Sequence, residues 1–318
     1  MKSRTAPFLS GIEATVSSRF PMGDNVLDKE WDLLIVLDTC RLDALKEAKQ
    51  SGDFISLNSS EIKSYYSVGG STLEWTAQTF RGSYHESASE IDYIAGNVLV
   101  KETLDGRRTP ESIDDAAWSP TNWNTLSKST FNKFVSAGNL REVTEPSHGH
   151  EDRPHPSAQI VTDLTIEHGR QYSPERLIVH YIQPHYPYYS AVESGEREEL
   201  VDWELFPFNN LRFGEISKAT VWDRYMTELN SALKAIDILL RNYDAERVAI
   251  TADHGEAFGE RHLGVRGYKH RVGMLHPKVR RVPWATTSAT DTGERTPNVN
   301  VKSSNQSREE ILKSLGYL

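Results

Sequence analysis

A carboxylate beside an imidazole at the end of a strand can grip a divalent cation, and Asp253-His254 offers that pair. The run Val248-Ala249-Ile250-Thr251-Ala252 leads straight into Asp253-His254-Gly255-Glu256. An apolar, β-branched run predicts a buried strand, and open α/β sheets collect ligands at the carboxyl ends of their strands. For an isolated Asp-His pair the simpler reading is structural, with Asp253 capping a helix and His254 packed. Other strand ends change the balance. Leu33 to Leu37 stops at Asp38-Thr39-Cys40-Arg41, and Leu177 to Ile182 stops at Gln183-Pro184-His185. The turn Val68-Gly69-Gly70-Ser71-Thr72 opens a helix, where a hydroxyl and backbone amides face the positive end of the helix dipole. Two carboxylates, an imidazole and an alkoxide from Thr72 or Ser71 form a mixed oxygen and nitrogen set suited to Mg, Mn, Ca or Zn. Such a cation would lower the hydroxyl's pKa for attack on an anionic ester.

The elements that must position these groups follow from periodicity. Leu33 to Leu37 is an unbroken apolar run, as expected of a central parallel strand covered on both faces. Leu42 to Ala48 and Leu73 to Phe80 predict helices after the first strand and after the glycine turn. Ser64 to Ser67 predicts a short strand, and Ile91 to Ala95 and Phe131 to Val135 predict weaker ones. Ser157 is placed to cap a helix reaching His168. Tyr225, Leu229, Leu233, Ile236 and Leu240 recur at three- and four-residue steps, which predicts an amphipathic helix over 221–242. His180 lies inside its strand and reads as a core histidine, and Asp43 as a partner of Arg41. The loop over 142–156 carries His148, His150 and His155 among prolines and charges, so it reads as solvated rather than metal-binding. Strand and helix alternate, which predicts a single doubly wound α/β domain with a mostly parallel central sheet and helices on both faces. Residues 1–30 form a lead-in, 31–285 the catalytic domain, and 286–318 a polar segment ending in a short helix.

With 318 residues the chain can bury a sizeable core. A net charge of -9 excludes the basic surface that non-specific nucleic-acid binding needs. The single cysteine, Cys40, excludes an intrachain disulfide and a cysteine zinc cluster and fits a reducing compartment. It reads as buried and inert. No apolar leader and no 18-residue apolar window is present, so the expected location is the cytoplasm.

Five motifs together resemble the sulfatase-like branch of the alkaline-phosphatase superfamily, which contains sulfatases, phosphonate monoester hydrolases and phosphoglycerol or phosphoethanolamine transferases. Leu34-Ile35-Val36-Leu37-Asp38 is similar to that family's first strand, whose Asp binds metal. Thr72, ten residues before Gly82, matches its nucleophile spacing. Gln183-Pro184-His185-Tyr186-Pro187-Tyr188 is similar to its substrate-contacting histidine element. Thr251-Ala252-Asp253-His254-Gly255-Glu256-Ala257-Phe258-Gly259-Glu260 is similar to its metal motif, and Gly267-Tyr268-Lys269-His270 to its closing segment. The resemblance spans about residues 32 to 284. It implies an alkaline-phosphatase-like fold and one divalent metal held by Asp38, Thr72, Asp253 and His254. His185 and His270 are then catalytic, and Arg41 and Lys269 bind substrate.

Departures narrow the chemistry. Neither Ser71 nor Cys40 sits in the C/S-x-P-x-R context that formylglycine formation requires. A plain threonine alkoxide favours hydrolysis or transfer of phosphate mono- or diesters through a phospho-enzyme. Sulfate-ester hydrolysis is the alternative, and a non-catalytic anionic-glycan-binding relative is another. Gln183 offers no carboxylate for a second cation, so one metal is expected. The implied substrate is a small-molecule, glycan-linked or lipid-linked anionic ester. The 99–125 stretch, the 142–156 loop and Phe206 to Phe213 are expected to shape the pocket mouth.

Overall fold

Apolar runs become strands wherever both their faces can be covered. The computed structural model describes residues 6–58, 61–108, 123–137, 140–142, 155–262, 264–297 and 301–303. Its strands are β1 (Leu33–Leu37), β2 (Lys63–Tyr66), β3 (Ile91–Ala95), β4 (Lys133–Ser136), β5 (Leu140–Glu142), β6 (Arg176–Tyr181), β7 (Ala245–Thr251), β8 (Ala257–His262), β9 (Val265–Lys269), β10 (Arg281–Ala289) and β11 (Val301–Ser303). Seven of them make one mixed sheet in the order β2-β10-β7-β1-β6-β3-β4. β1 pairs in parallel with β6 and β7, and β3 pairs in parallel with β6 and β4. β10 runs antiparallel to β7 and β2. β8 with β9, and β5 with β11, form separate two-stranded ribbons.

Every residue of β1 and β3 is buried, so both sheet faces are covered. Neighbours on β6 show which helices do this, because adjacent side chains on a strand point to opposite faces. His180 packs edge-on against Trp75 of the Thr72–Thr79 helix. Tyr181 instead bonds through its hydroxyl to Thr162 of the Ala158–Tyr172 helix. The Lys218–Leu240 helix lies beside that second helix and buries Tyr225, Leu229, Leu233, Ile236 and Leu240, the stripe predicted from periodicity.

Three points differ from the expectations or add to them. β10 continues to Ala289, because Thr286 and Thr287 pair with Ala249 and Val248, so the sheet passes the 285 boundary. The 99–125 stretch begins as a buried helix, Val98–Leu104, capped by Asn97. His155 is buried against Tyr189 rather than solvated. His148, His150, residues 109–122 and the C-terminal helix expected at 308–315 lie outside the described residues.

Candidate metal and nucleophile site

β1 and β7 lie side by side, with Val36 opposite Thr251, so their carboxyl ends deliver Asp38 and Asp253 to one place. Both are fully buried. The chain turns sharply after Asp38: Thr39 has φ 62, a left-handed backbone that costs a non-glycine residue about 1 kcal/mol. Tyr225 holds that turn, donating to the Thr39 carbonyl at 2.8 Å and accepting from the Arg41 amide at 2.9 Å. Asp253 Oδ1 accepts the amides of His254 at 2.8 Å and Thr39 at 3.2 Å. Neither carboxylate caps a helix.

Ser71 and Thr72 divide two tasks. Ser71 is the helix N-cap, its hydroxyl accepting the Glu74 amide at 3.3 Å. Thr72 Oγ1 points elsewhere, standing 2.8 Å from Asp253 Oδ2, 3.3 Å from His254 Nε2 and 3.4 Å from Asp38 Oδ2. His254 Nε2 is 3.4 Å from Asp253 Oδ2 and 3.6 Å from Asp38 Oδ1. Ligands about 2.0–2.2 Å from one cation stand about 3–3.5 Å apart, so these spacings fit the edges of a coordination polyhedron.

Two buried atoms point the same way. Asp38 Oδ1 and His180 Nε2 have no hydrogen-bond partner, although buried polar atoms are normally satisfied. Burial and the neighbouring Asp253 carboxylate push Asp38 well above the usual carboxylate range. Burial brings His254 down to about 3, leaving its imidazole neutral. A pair of close buried carboxylates with neutral nitrogen donors suits a divalent cation.

His180 was read as a core histidine and is fully buried against Trp75 and Tyr93, but it also offers a nitrogen to the site. Asp38, His180 and Asp253 offer ligand atoms within 4.8 Å of one another, the group of this kind among the described residues. Tyr93 sits 3.0 Å from His180 Nδ1, and the opposite nitrogen lies 3.6 Å from Asp253 Oδ2. The sequence showed a histidine near the end of an apolar strand but not the direction of its side chain. Asn97 was also missed. It donates to Asp38 Oδ2 at 2.6 Å while its own oxygen caps the next helix.

The structure brings His185 and His270 beside His254. The His270 ring lies 4.3 Å from that of His254 and 5.3 Å from that of His185, centroid to centroid. Burial and the neighbouring His270 push His185 well below the ordinary histidine value. Glu256 Oε2 lies 3.0 Å from His270 Nδ1, which turns the other ring nitrogen away from Glu256. Lys269 stands over the Tyr186 ring at 5.6 Å, and burial lowers its pKa. Phe208 packs on Tyr186 and Phe258, so the 206–213 segment borders the His185 turn.

Arg41 is placed differently from the expectation that it binds substrate. Its guanidinium is buried and forks onto Asp43 at 2.8 and 2.6 Å. It also bonds Glu260 at 2.8 Å and the Glu256 carbonyl at 3.2 Å. Trp222 and Phe258 cover its faces. Two carboxylates therefore already compensate it, and Asp43 is its partner as predicted. Cys40 is buried, and burial pushes its thiol up, away from reactivity.

The fold and site together define a mostly parallel α/β domain with a buried oxygen and nitrogen cage at its strand ends. A scan of protein-family models and a search of curated sequences found no match. A search of solved structures returned distant neighbours. The soluble domain of lipooligosaccharide phosphoethanolamine transferase A from Neisseria meningitidis aligns over 88% of this chain and 90% of its own, at 14% identity and a TM-score of 0.48. The integral membrane form of that protein aligns over 83% of this chain at 15% identity and a TM-score of 0.44, and this chain spans 48% of its length. A 2-O GAG sulfatase aligns over 90% of this chain and 70% of its own, at 14% identity and a TM-score of 0.44. At such identities and scores, the functional argument rests on this chain's own residues.

Proposed function

We propose that this protein is a metal-dependent hydrolase or transferase of phosphate esters, with Thr72 as nucleophile and a phosphothreonine intermediate. One observation carries the reading: the Thr72 hydroxyl is aimed between two buried carboxylates and a neutral imidazole, while Ser71 does the helix capping. Asp38, Asp253, His254 and Thr72 would hold the cation, with His180 within reach. When bound, a divalent ion supplies Lewis-acid charge that lowers the hydroxyl's pKa and balances the anionic ester.

The residues divide the remaining work. The Thr72 hydroxyl releases its proton to solvent, Thr72 Oγ attacks phosphorus and the bond to the leaving oxygen breaks. That oxygen takes its proton from His270, while neutral His185 hydrogen-bonds the non-bridging oxygens. Lys269 adds positive charge at the rim. Water then opens the phosphothreonine to give hydrolysis, or a sugar hydroxyl opens it to give transfer.

The test is a steady-state panel of nitrophenyl phosphate, bis-nitrophenyl phosphate and nitrophenyl sulfate, each with Mn, Mg, Ca and Zn. Turnover of a phosphate ester that disappears in Thr72→Ala is the expected result. Faster turnover of the sulfate would replace phosphate by sulfate chemistry. A metal-free protein that gains no activity from any cation would leave only a binding role.

A further inference from the structure

We infer that Glu74 is a positioning residue that fixes the nucleophile turn and the His270 turn to each other through one carboxylate oxygen. The inference rests on the proposed roles of Thr72 and His270. Glu74 is fully buried, two residues after Thr72 on the same helix. Its Oε2 accepts the Gly70 amide at 2.7 Å and the Gly273 amide at 2.8 Å. Gly70 belongs to the turn that presents Thr72. Gly273 belongs to the turn that follows Lys269 and His270, closed by the Met274 amide on the Arg271 carbonyl at 3.2 Å.

The two turns meet without room for a side chain. A Cβ on Gly70 would stand 2.8 Å from the Met274 carbonyl oxygen and 2.9 Å from that of Arg271, whereas Gly273, at φ 74, packs instead against the Ala6–Arg19 helix, 2.4 Å from the Ala14 nitrogen. The second carboxylate oxygen faces Arg280 Nη1 at 3.4 Å. Arg280, itself 2% exposed, donates through Nε to the Ser67 carbonyl at 2.9 Å. Ser67 in turn donates its hydroxyl to the Asp253 carbonyl. Glu74 and Arg280 thus tie three separate segments, those of Thr72, Asp253 and His270. An ordinary helix-facing glutamate has no reason to be buried here, since a buried carboxylate is costly unless bonded.

The experiment compares wild type, Glu74→Gln and Glu74→Gln/Arg280→Gln as metal-loaded full chains. Glutamine keeps the size but cannot offer both amides a charged acceptor. Amide exchange is expected to quicken in segments 66–72 and 269–275 together, with β1 unchanged. kcat is expected to fall on the order of 100-fold, as for a misplaced reacting group, with KM changing far less. The double variant removes the charge that Glu74→Gln leaves unbalanced, and with it the bonds of Arg280 to the Ser67 and Met22 carbonyls, so kcat should stay low whether or not the denaturation midpoint recovers. Recovery of kcat with stability would reduce Glu74 to a structural residue. Exchange that quickens in one segment alone would overturn the coupling. If wild type turns over no ester, the proposed function falls, and the exchange result still decides whether Glu74 couples the turns.

Discussion

Thr72 and Ser71 differ in what their hydroxyls already hold. Ser71 caps a helix, a bond worth about 1 kcal/mol, so Ser71→Ala should lower the unfolding free energy by that amount and leave kcat per folded molecule near wild type. Thr72→Ala should abolish turnover while metal content, read by elemental analysis, persists on the remaining ligands. A Ser71→Ala variant that loses turnover would exchange the two roles. His180 carries a separate prediction. Its unsatisfied Nε2 faces Asp253, so His180→Ala should weaken metal affinity about 10- to 100-fold in a competition titration. Unchanged affinity would return it to the core. The residue types of the site were legible because strand ends announce themselves: an apolar run that breaks at Asp38, His185 or Asp253 has an obvious carboxyl end. His180, Asn97 and Glu74 were not legible. Their roles depend on side-chain direction and on partners far along the chain, such as Gly273 for Glu74, and no local pattern encodes these.

Elements position the site through anchors that resemble active-site groups in sequence. Arg41 follows Asp38, a proposed metal ligand, by three residues and invites a substrate-binding role, yet it joins the first strand's turn to the β8 strand through Asp43 and Glu260. Burial raises the Glu260 pKa, but Arg41 and Lys218 outweigh it and bring the carboxyl down to about 2. Asp43 is lowered likewise, with burial opposed by Arg41 and Lys278. Unfolded carboxylates titrate at about 4. A depressed folded pKa gives stability that is complete above that value and lost as the pH falls through it towards the folded one. Arg41→Met should cost about 2 kcal/mol at neutral pH and flatten this acid limb, as measured by urea unfolding across the acid range. Unaltered stability with a raised KM would restore the substrate-binding reading. Strand and helix existence was readable from period alone, whereas β10's extra length was not, because Thr286 and Thr287 are polar and owe their strand to pairing with β7.

For the molecule as a whole, the sheet converges two buried carboxylates that repel each other, and a cation should therefore stabilise the fold as well as activate it. Metal at about 100 times its Kd would add about 2.7 kcal/mol. Chelation should lower the thermal midpoint, and readdition of the cation should restore it. No described helix is long and apolar enough to cross a membrane. The central claim is that Thr72 carries the phosphoryl group, and trapping that group tests it most directly. Metal-loaded protein is quenched in acid during turnover of a phosphate ester and mapped by peptide mass spectrometry. One phosphoryl group on Thr72, absent from Thr72→Ala and from chelator-treated protein, is the predicted result. Turnover with no covalent phosphate, or with phosphate on Ser71 or a histidine, would contradict it.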